Sequence, residues 1–313
     1  MIISIHDVWN AAAVDHEKYV RAAMNKAWKK LLKIGPPTSI LVQVCSFIDK
    51  HNTEIVGAGT RNYALSVADY DAQFLLGTPA RKEANSILEK LFDYDRFRNA
   101  DKGWSAYSLC KTSSYVVCPY CHLIPTNTEQ EDSQQKGYRP QLDHFIGQAD
   151  YPFLALSLGN LVPCCAICNG PTMKHTTNVL TAPLLFPLAH PEALAFRLRP
   201  KGGQPWSPLL RAVRVPLDQY EIEIEAPYGN VAAQNSLKTF QLRSRYQPFL
   251  HDAYRLAMVG RNSAWQQTIM SMLGFAPSLK DNLGFSNAAG CTEFKNVPQG
   301  KMRLDVYNDS RNW

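Results

Sequence analysis

Cys118-Pro119-Tyr120-Cys121 and Cys165-Ala166-Ile167-Cys168 bracket a segment that contains Leu142-Asp143-His144-Phe145 and Asn160-Leu161-Val162-Pro163. Asn169 follows the last cysteine directly, and Lys174-His175 lie just beyond. A two-residue gap lets both thiolates of a knuckle turn reach one tetrahedral ion, and two knuckles complete a four-cysteine site. The spacing therefore predicts a structural Zn2+ on Cys118, Cys121, Cys165 and Cys168. Cys164 is an adjacent thiol to which the register could slip, but the CxxC spacing favours Cys165 with Cys168. A redox role for a single CxxC competes with this reading, and a second pair at a distance disfavours it.

The separation of the knuckles carries more information. A zinc ribbon places about 15–20 residues there; this chain places far more, and the insert contains Asp143-His144. Such a pair offers a hard oxygen ligand for a divalent ion beside an imidazole that titrates near neutrality, both useful in phosphodiester hydrolysis.

With these residues in place, the sequence resembles an HNH endonuclease of the ββα-metal type stapled by four cysteines. The matching residues are Cys118, Cys121, Leu142 to Phe145, Asn160 to Pro163, Cys165, Cys168, Asn169 and Lys174. They fall between about residues 115 and 180. Trp104 to Tyr107 and Phe240 to Tyr246 extend the likeness toward the HNH effectors of Septu-type and retron-associated antiphage systems. The third HNH position is Asn169 rather than His, and Gly147 and Gly159 stand where stiffer residues are expected.

The resemblance implies roles. His144 is the general base on water. Asp143 and the Asn169 side chain hold one catalytic Mg2+ (or Mn2+), and Lys174 pairs with a phosphate. Asn160 orients the His144 ring or braces the loop between the strands. Asn169 has a competing reading as a helix N-cap. His122 and His175 neighbour the motif and read as surface histidines.

The chain has 313 residues, 45% of them hydrophobic and 19% charged, a composition able to bury a core. Its net charge of +6 is compatible with a nucleic-acid partner without demanding one. Cysteines outside the CxxC pairs show no disulfide framework, so a reducing, cytoplasmic setting is expected. Met1 to His6 lacks the features of a signal peptide, and no apolar run suits a membrane span.

These features predict an α+β fold, mainly helical, with an embedded ββα-metal module. The expected regions are 1–110, helical; 111–182, the HNH module with its knuckles; and 183–313, helical with a few strands. Val14 to Ile34 reads as a helix with Val20, Met24, Trp28, Leu31 and Leu32 on one stripe. Lys18, Arg21, Asn25, Lys29 and Lys33 then fall on the other face, as solvated residues or phosphate contacts. Ser39 to Asp49 is helix or buried strand, and Pro79 to Arg98 a second amphipathic helix. Tyr115 to Val117 and Gln141 to His144 read as strands, and Thr172 onward as the α of ββα. Tyr220 to Glu225 is the clearest strand, Leu237 to Leu273 a helix broken near Pro248, and Met302 to Tyr307 a final strand.

The leading functional expectation is an Mg2+-dependent DNA endonuclease, with RNA, including tRNA, as an alternative substrate. A zinc-stapled binding module that does not cut is the expectation from another class. The resemblance further implies an ABC/SMC-like ATPase partner that restrains the nuclease in antiphage defence.

Overall fold

The computed structural model describes residues 2–33, 37–57, 59, 62–100, 102–129, 137–203, 217–272, 283–285 and 292–311. The N-terminal part is helical: α1 (Ala13–Leu31), α2 (Ser39–Lys50), α3 (Asn52–Ile55), α4 (Ala64–Gln73), α5 (Pro79–Leu91), α6 (Tyr94–Arg98) and α7 (Ala106–Lys111). Caps explain several starts. The Thr38 hydroxyl accepts from Leu41 N–H and Thr78 from Arg81 N–H, each satisfying a donor that the first turn leaves open. On α1, Val20 and Met24 are buried, but Leu32 lies past the helix and is 57% exposed, off the expected stripe. The expected Pro79 to Arg98 helix breaks at Phe92. There Asp93 accepts from Arg96 N–H at 2.9 Å and starts α6 on a new axis.

The central part contains β1 (Gln141–His144) and β2 (Leu161–Cys164), antiparallel, with Asp143 opposite Val162 and His144 opposite Leu161. Tyr115 to Val117 contributes only an isolated bridge, Val117 to Pro125, which closes the first knuckle. The helix expected from Thr172 does not form. The α element after β2 is the single turn α8 (Ala166–Asn169), followed by turns through His175, which adopts φ 39. Gly170-Pro171 accounts for the stop, because proline cannot continue the amide ladder.

The C-terminal part pairs β3 (Ala195–Pro200) with β4 (Tyr220–Glu225) and adds α9 (Val231–Thr239), α10 (Leu242–Tyr246), α11 (Leu250–Met272) and α12 (Gly300–Ser310). Met302 to Tyr307, expected as a strand, is the middle of α12. Met302 and Val306 are four apart and buried on one face, and a helix satisfies that pattern as well as alternation does. Gly260 of α11 lets α12 approach closely, since a Cβ there would lie 2.1 Å from Ser310 Oγ and 2.6 Å from Tyr307 O.

Three contacts position the central strands. Phe153, in the β1–β2 connection, packs against Phe47 and Tyr70 with ring centroids 5.0 Å from each. Trp9 Nε1 donates to Leu161 O at 2.8 Å, and Ser157 Oγ donates to Ile55 O at 2.7 Å, both buried. The buried side chains form one continuous cluster from Ile2 to Tyr307. Among the described residues no helix is long and apolar enough to cross a membrane.

Candidate zinc centre and catalytic cleft

The first knuckle is a tight hairpin. Cys118 N–H donates to Ile124 O and His122 N–H to Cys118 O. The second knuckle is the entry to α8, where the Cys165 sulfur caps the turn by accepting from Cys168 N–H at 3.4 Å. The two bring Cys118, Cys121, Cys165 and Cys168 together, all buried, with their sulfurs within 4.8 Å of one another. Four sulfurs about 2.3 Å from a central ion fit this spacing, so the residues suit a closed tetrahedral Zn2+ site. Cys164 stays outside the cluster. It is fully buried on β2, and burial pushes its thiol well above the ordinary range. Hydrogen bonds from Cys118 push Cys121 and Cys165 down toward thiolate. Arg245 of α10 places Nη1 3.4 Å from Cys168 Sγ and 3.3 Å from Phe240 O, a cation set against the anionic sulfurs.

His122, expected at the surface, is fully buried. Its ring accepts from Lys301 N–H at Nδ1 and donates from Nε2 to Lys295 O. It sits at φ 55 and ties the first knuckle to the chain before α12. Burial lowers its pKa to about 4, so it is a neutral structural group.

Beside this centre lies a cleft of roughly 250 Å³ lined by Asp143, His144, Gly147, Asn169, Lys174 and His175, among others. His144, at the end of β1, donates from Nε2 to Ala155 O at 2.9 Å. A carbonyl can only accept, so Nε2 carries the proton and Nδ1 keeps its lone pair. Tyr94 stands edge-on to the ring at 4.5 Å. Although the side chain keeps some surface, the surrounding protein desolvates it and lowers its pKa to about 4. The imidazole is therefore neutral.

Asp143 is 3% exposed and points to the same side as Lys174. Its Oδ2 accepts from Tyr120 OH at 2.5 Å and its Oδ1 from Lys174 Nζ at 2.8 Å. Burial holds the Tyr120 phenol well above its ordinary pKa, so it stays a donor. Lys174, expected on a phosphate, is 2% exposed, and its ammonium also donates to His144 O at 3.0 Å. Its backbone N–H donates to Cys168 O at 3.1 Å, linking the cleft to the zinc centre.

Asn160 is fully buried and absent from the cleft wall. Its Oδ1 accepts from Ile146 N–H at 2.8 Å, and its Nδ2 donates to Ile146 O at 3.0 Å and Leu154 O at 3.3 Å. It clasps both ends of the β1–β2 connection and makes no bond to the His144 ring. Asn169 ends α8, whose N-cap is Cys165, so the capping alternative does not hold. Its Nδ2 donates to Gln141 Oε1 at 2.9 Å, which leaves the amide oxygen as an acceptor in the cleft.

Spacing singled out the four cysteines, which the fold brings together, and drew notice to Asp143-His144; the resemblance supplied Asn160, Asn169 and Lys174. Neither revealed Tyr120, Tyr94, Arg245 or the Ala155 carbonyl as their supports. Tyr120 lies inside the first CxxC and was open to notice; the others reach the centre only through the fold. Comparison of the chain with protein-family models, curated proteins and solved structures returns no match.

Proposed function

We propose that this chain is a divalent-metal-dependent endonuclease with His144 as its general base. The observation that carries the reading is the fixed, neutral imidazole in an open cleft, oriented by Ala155 O and adjacent on β1 to a carboxylate. A base must be unprotonated, and a ring whose Nε2 is spent on Ala155 O keeps Nδ1 for that task, which supports the reading. Asp143 and Asn169 would hold the Mg2+: each Asp143 oxygen accepts one hydrogen bond and keeps a second lone pair, and Asn169 keeps its amide oxygen. When bound, such an ion relieves negative charge on the non-bridging phosphate oxygens.

The residues then act as follows. His144 Nδ1 takes a proton from water, the water oxygen bonds to phosphorus, and the bond to the leaving oxygen breaks. The imidazolium then hands its proton to solvent, and the leaving oxygen takes one from solvent. Asn160 keeps the β1–β2 connection, and with it Ala155 O, in register with the ring. The zinc serves as a staple, because four thiolates leave no open position.

Plasmid incubated with the purified zinc-bound protein, with Mg2+ and without it, tests the reading. Cutting that requires Mg2+ and disappears in His144→Ala supports it; wild-type protein that leaves DNA and RNA intact in Mg2+ refutes it. One observation favours a second reading, a zinc-stapled module that binds without cutting: the Lys174 ammonium already occupies Asp143 Oδ1. Binding without metal-dependent cleavage is its signature. A partner ATPase and a place in antiphage defence rest on the resemblance alone, and co-purification with products of neighbouring genes tests them.

A further inference from the structure

Helix α1 and the corner between α5 and α6 enclose a second cleft, of roughly 300 Å³. Its floor is apolar, with Tyr19, Ala27, Leu31 and Leu91. Its rim carries Lys26, Lys30, Lys90 and Arg96. All four cations are exposed. Among the described residues none of them lies within ion-pair distance of a carboxylate, whereas Lys18, Arg21 and Arg98 nearby pair with Asp15, Glu17 and Asp95. Lys26 and Lys30 are one turn apart on the same helix, where like charges repel. Asp93, the acid lining the cleft, turns an oxygen to Arg96 N–H. The result is a net positive charge, four cations against the one carboxylate of Asp93, over an apolar floor.

The cleft is close to His144. Ring centroids step from His144 to Tyr94 by 4.5 Å, from Tyr94 to Phe97 by 6.2 Å and from Phe97 to Tyr19 by 5.3 Å. Because Phe97 is buried, these steps run through the protein and bound the straight-line separation, which at about 3.4 Å per nucleotide is no more than about five nucleotides.

We propose that this cleft is the track for a single nucleic-acid strand flanking the phosphate at His144, with the four cations on its backbone and unpaired bases against the floor. A duplex offers a cleft its phosphates and turns its bases inward, leaving an apolar floor unused. Sites for single strands combine a cationic groove with aromatic and apolar platforms, as this one does. The inference rests on the nuclease reading, since it assigns the flank of that substrate.

The test is fluorescence anisotropy of the full zinc-bound chain with a labelled oligonucleotide, single-stranded and duplex, in buffer free of Mg2+ and of chelator, so that nothing is cut and the zinc stays in place. DNA and RNA strands run in parallel separate the two sources of backbone. A variant carrying Lys26→Ala, Lys30→Ala, Lys90→Ala and Arg96→Ala should bind the single strand at least about tenfold more weakly. Its slope of log affinity against log salt should fall by about 3, four phosphates at about 0.7 each. Lys30→Glu alone should shift binding the same way, with zinc content unchanged in both variants. An unchanged slope in the fourfold variant, or tighter binding of duplex than of single strand, overturns the proposal. If the strand binds through these cations but Mg2+ brings no cutting, the track stands and the nuclease reading falls. If the fourfold variant binds and cuts like wild type, the track falls and the nuclease reading stands.

Discussion

Asn160 shows how much one buried amide can hold. It satisfies an N–H and two carbonyls of the β1–β2 connection, all in buried hydrogen bonds. Asn160→Ala strands the N–H and carbonyl of Ile146, at about 1–3 kcal/mol each before relaxation, while Leu154 O keeps the Ser157 N–H; chemical denaturation should show a loss of about 2 kcal/mol or more. Asn160→Asp should do no better, because its second oxygen would face two carbonyls. His144→Ala removes one hydrogen bond, to Ala155 O, and should cost only about 1–2 kcal/mol. Any cleavage should nevertheless fall by roughly 10²–10⁴-fold. A larger structural loss with cleavage retained would refute the catalytic role. The cysteine cluster was legible from spacing; the partners of the other candidates were not. Lys174 reaches back to Asp143 and His144 on β1, and Asn160 holds backbone groups of the connection, pairings that close only in the folded chain and that no local pattern encodes.

Among elements, the zinc knuckles determine the rest of the module. β1 and β2 are four residues each, and α8 is a single turn; pieces this short do not persist alone. A zinc ion held by the four-sulfur cluster would supply the missing stability, since metal binding in such modules is folding free energy. Cys118→Ser, or a strong chelator, should therefore lose about one zinc per chain by elemental analysis. It should also lose hydrogen-exchange protection across residues 118–175, while α2 and α5 retain theirs. Full protection without zinc would show that the staple is dispensable. Two elements were disguised by the sequence. β2 contains Pro163 and a cysteine run, which suppress the strand signal, yet Pro163 stands opposite Leu142 at a pair of the ladder that needs no N–H. α12 alternates apolar and polar residues over six positions, too few to distinguish period 2 from period 3.6.

Across the whole molecule, two histidines from distant parts of the chain pin adjacent carbonyls. His16 of α1 donates from Nε2 to Leu156 O at 2.8 Å, next to the Ala155 O held by His144. His16 Nδ1 accepts from Trp104 Nε1 at 3.1 Å, so a proton there would eject that bond. Burial lowers its pKa from 6.5 to about 4. The unfolded chain therefore takes up the proton first. Stability is complete above about pH 6.5 and declines as pH falls toward 4, by about 3 kcal/mol for this group. His16→Phe should lower stability at pH 8 and flatten the slope between pH 6.5 and 4, measured against wild type; an unchanged slope would refute it. Such long-range pairings, 140 residues apart for His16 and Leu156, leave no trace in composition or periodicity.

Arg245 has a consequence for redox life. A tetrathiolate around Zn2+ carries two net negative charges, and the guanidinium beside Cys168 draws electron density from the sulfur most exposed to it. Replacing it with leucine should leave sulfurs that react faster with peroxide, releasing zinc sooner. Because the same guanidinium holds Phe240 O, the loosened grip would reach α9 and α10 as well. With zinc in the site, oxidant tolerance would thus depend on an arginine 77 residues from the cysteine it faces.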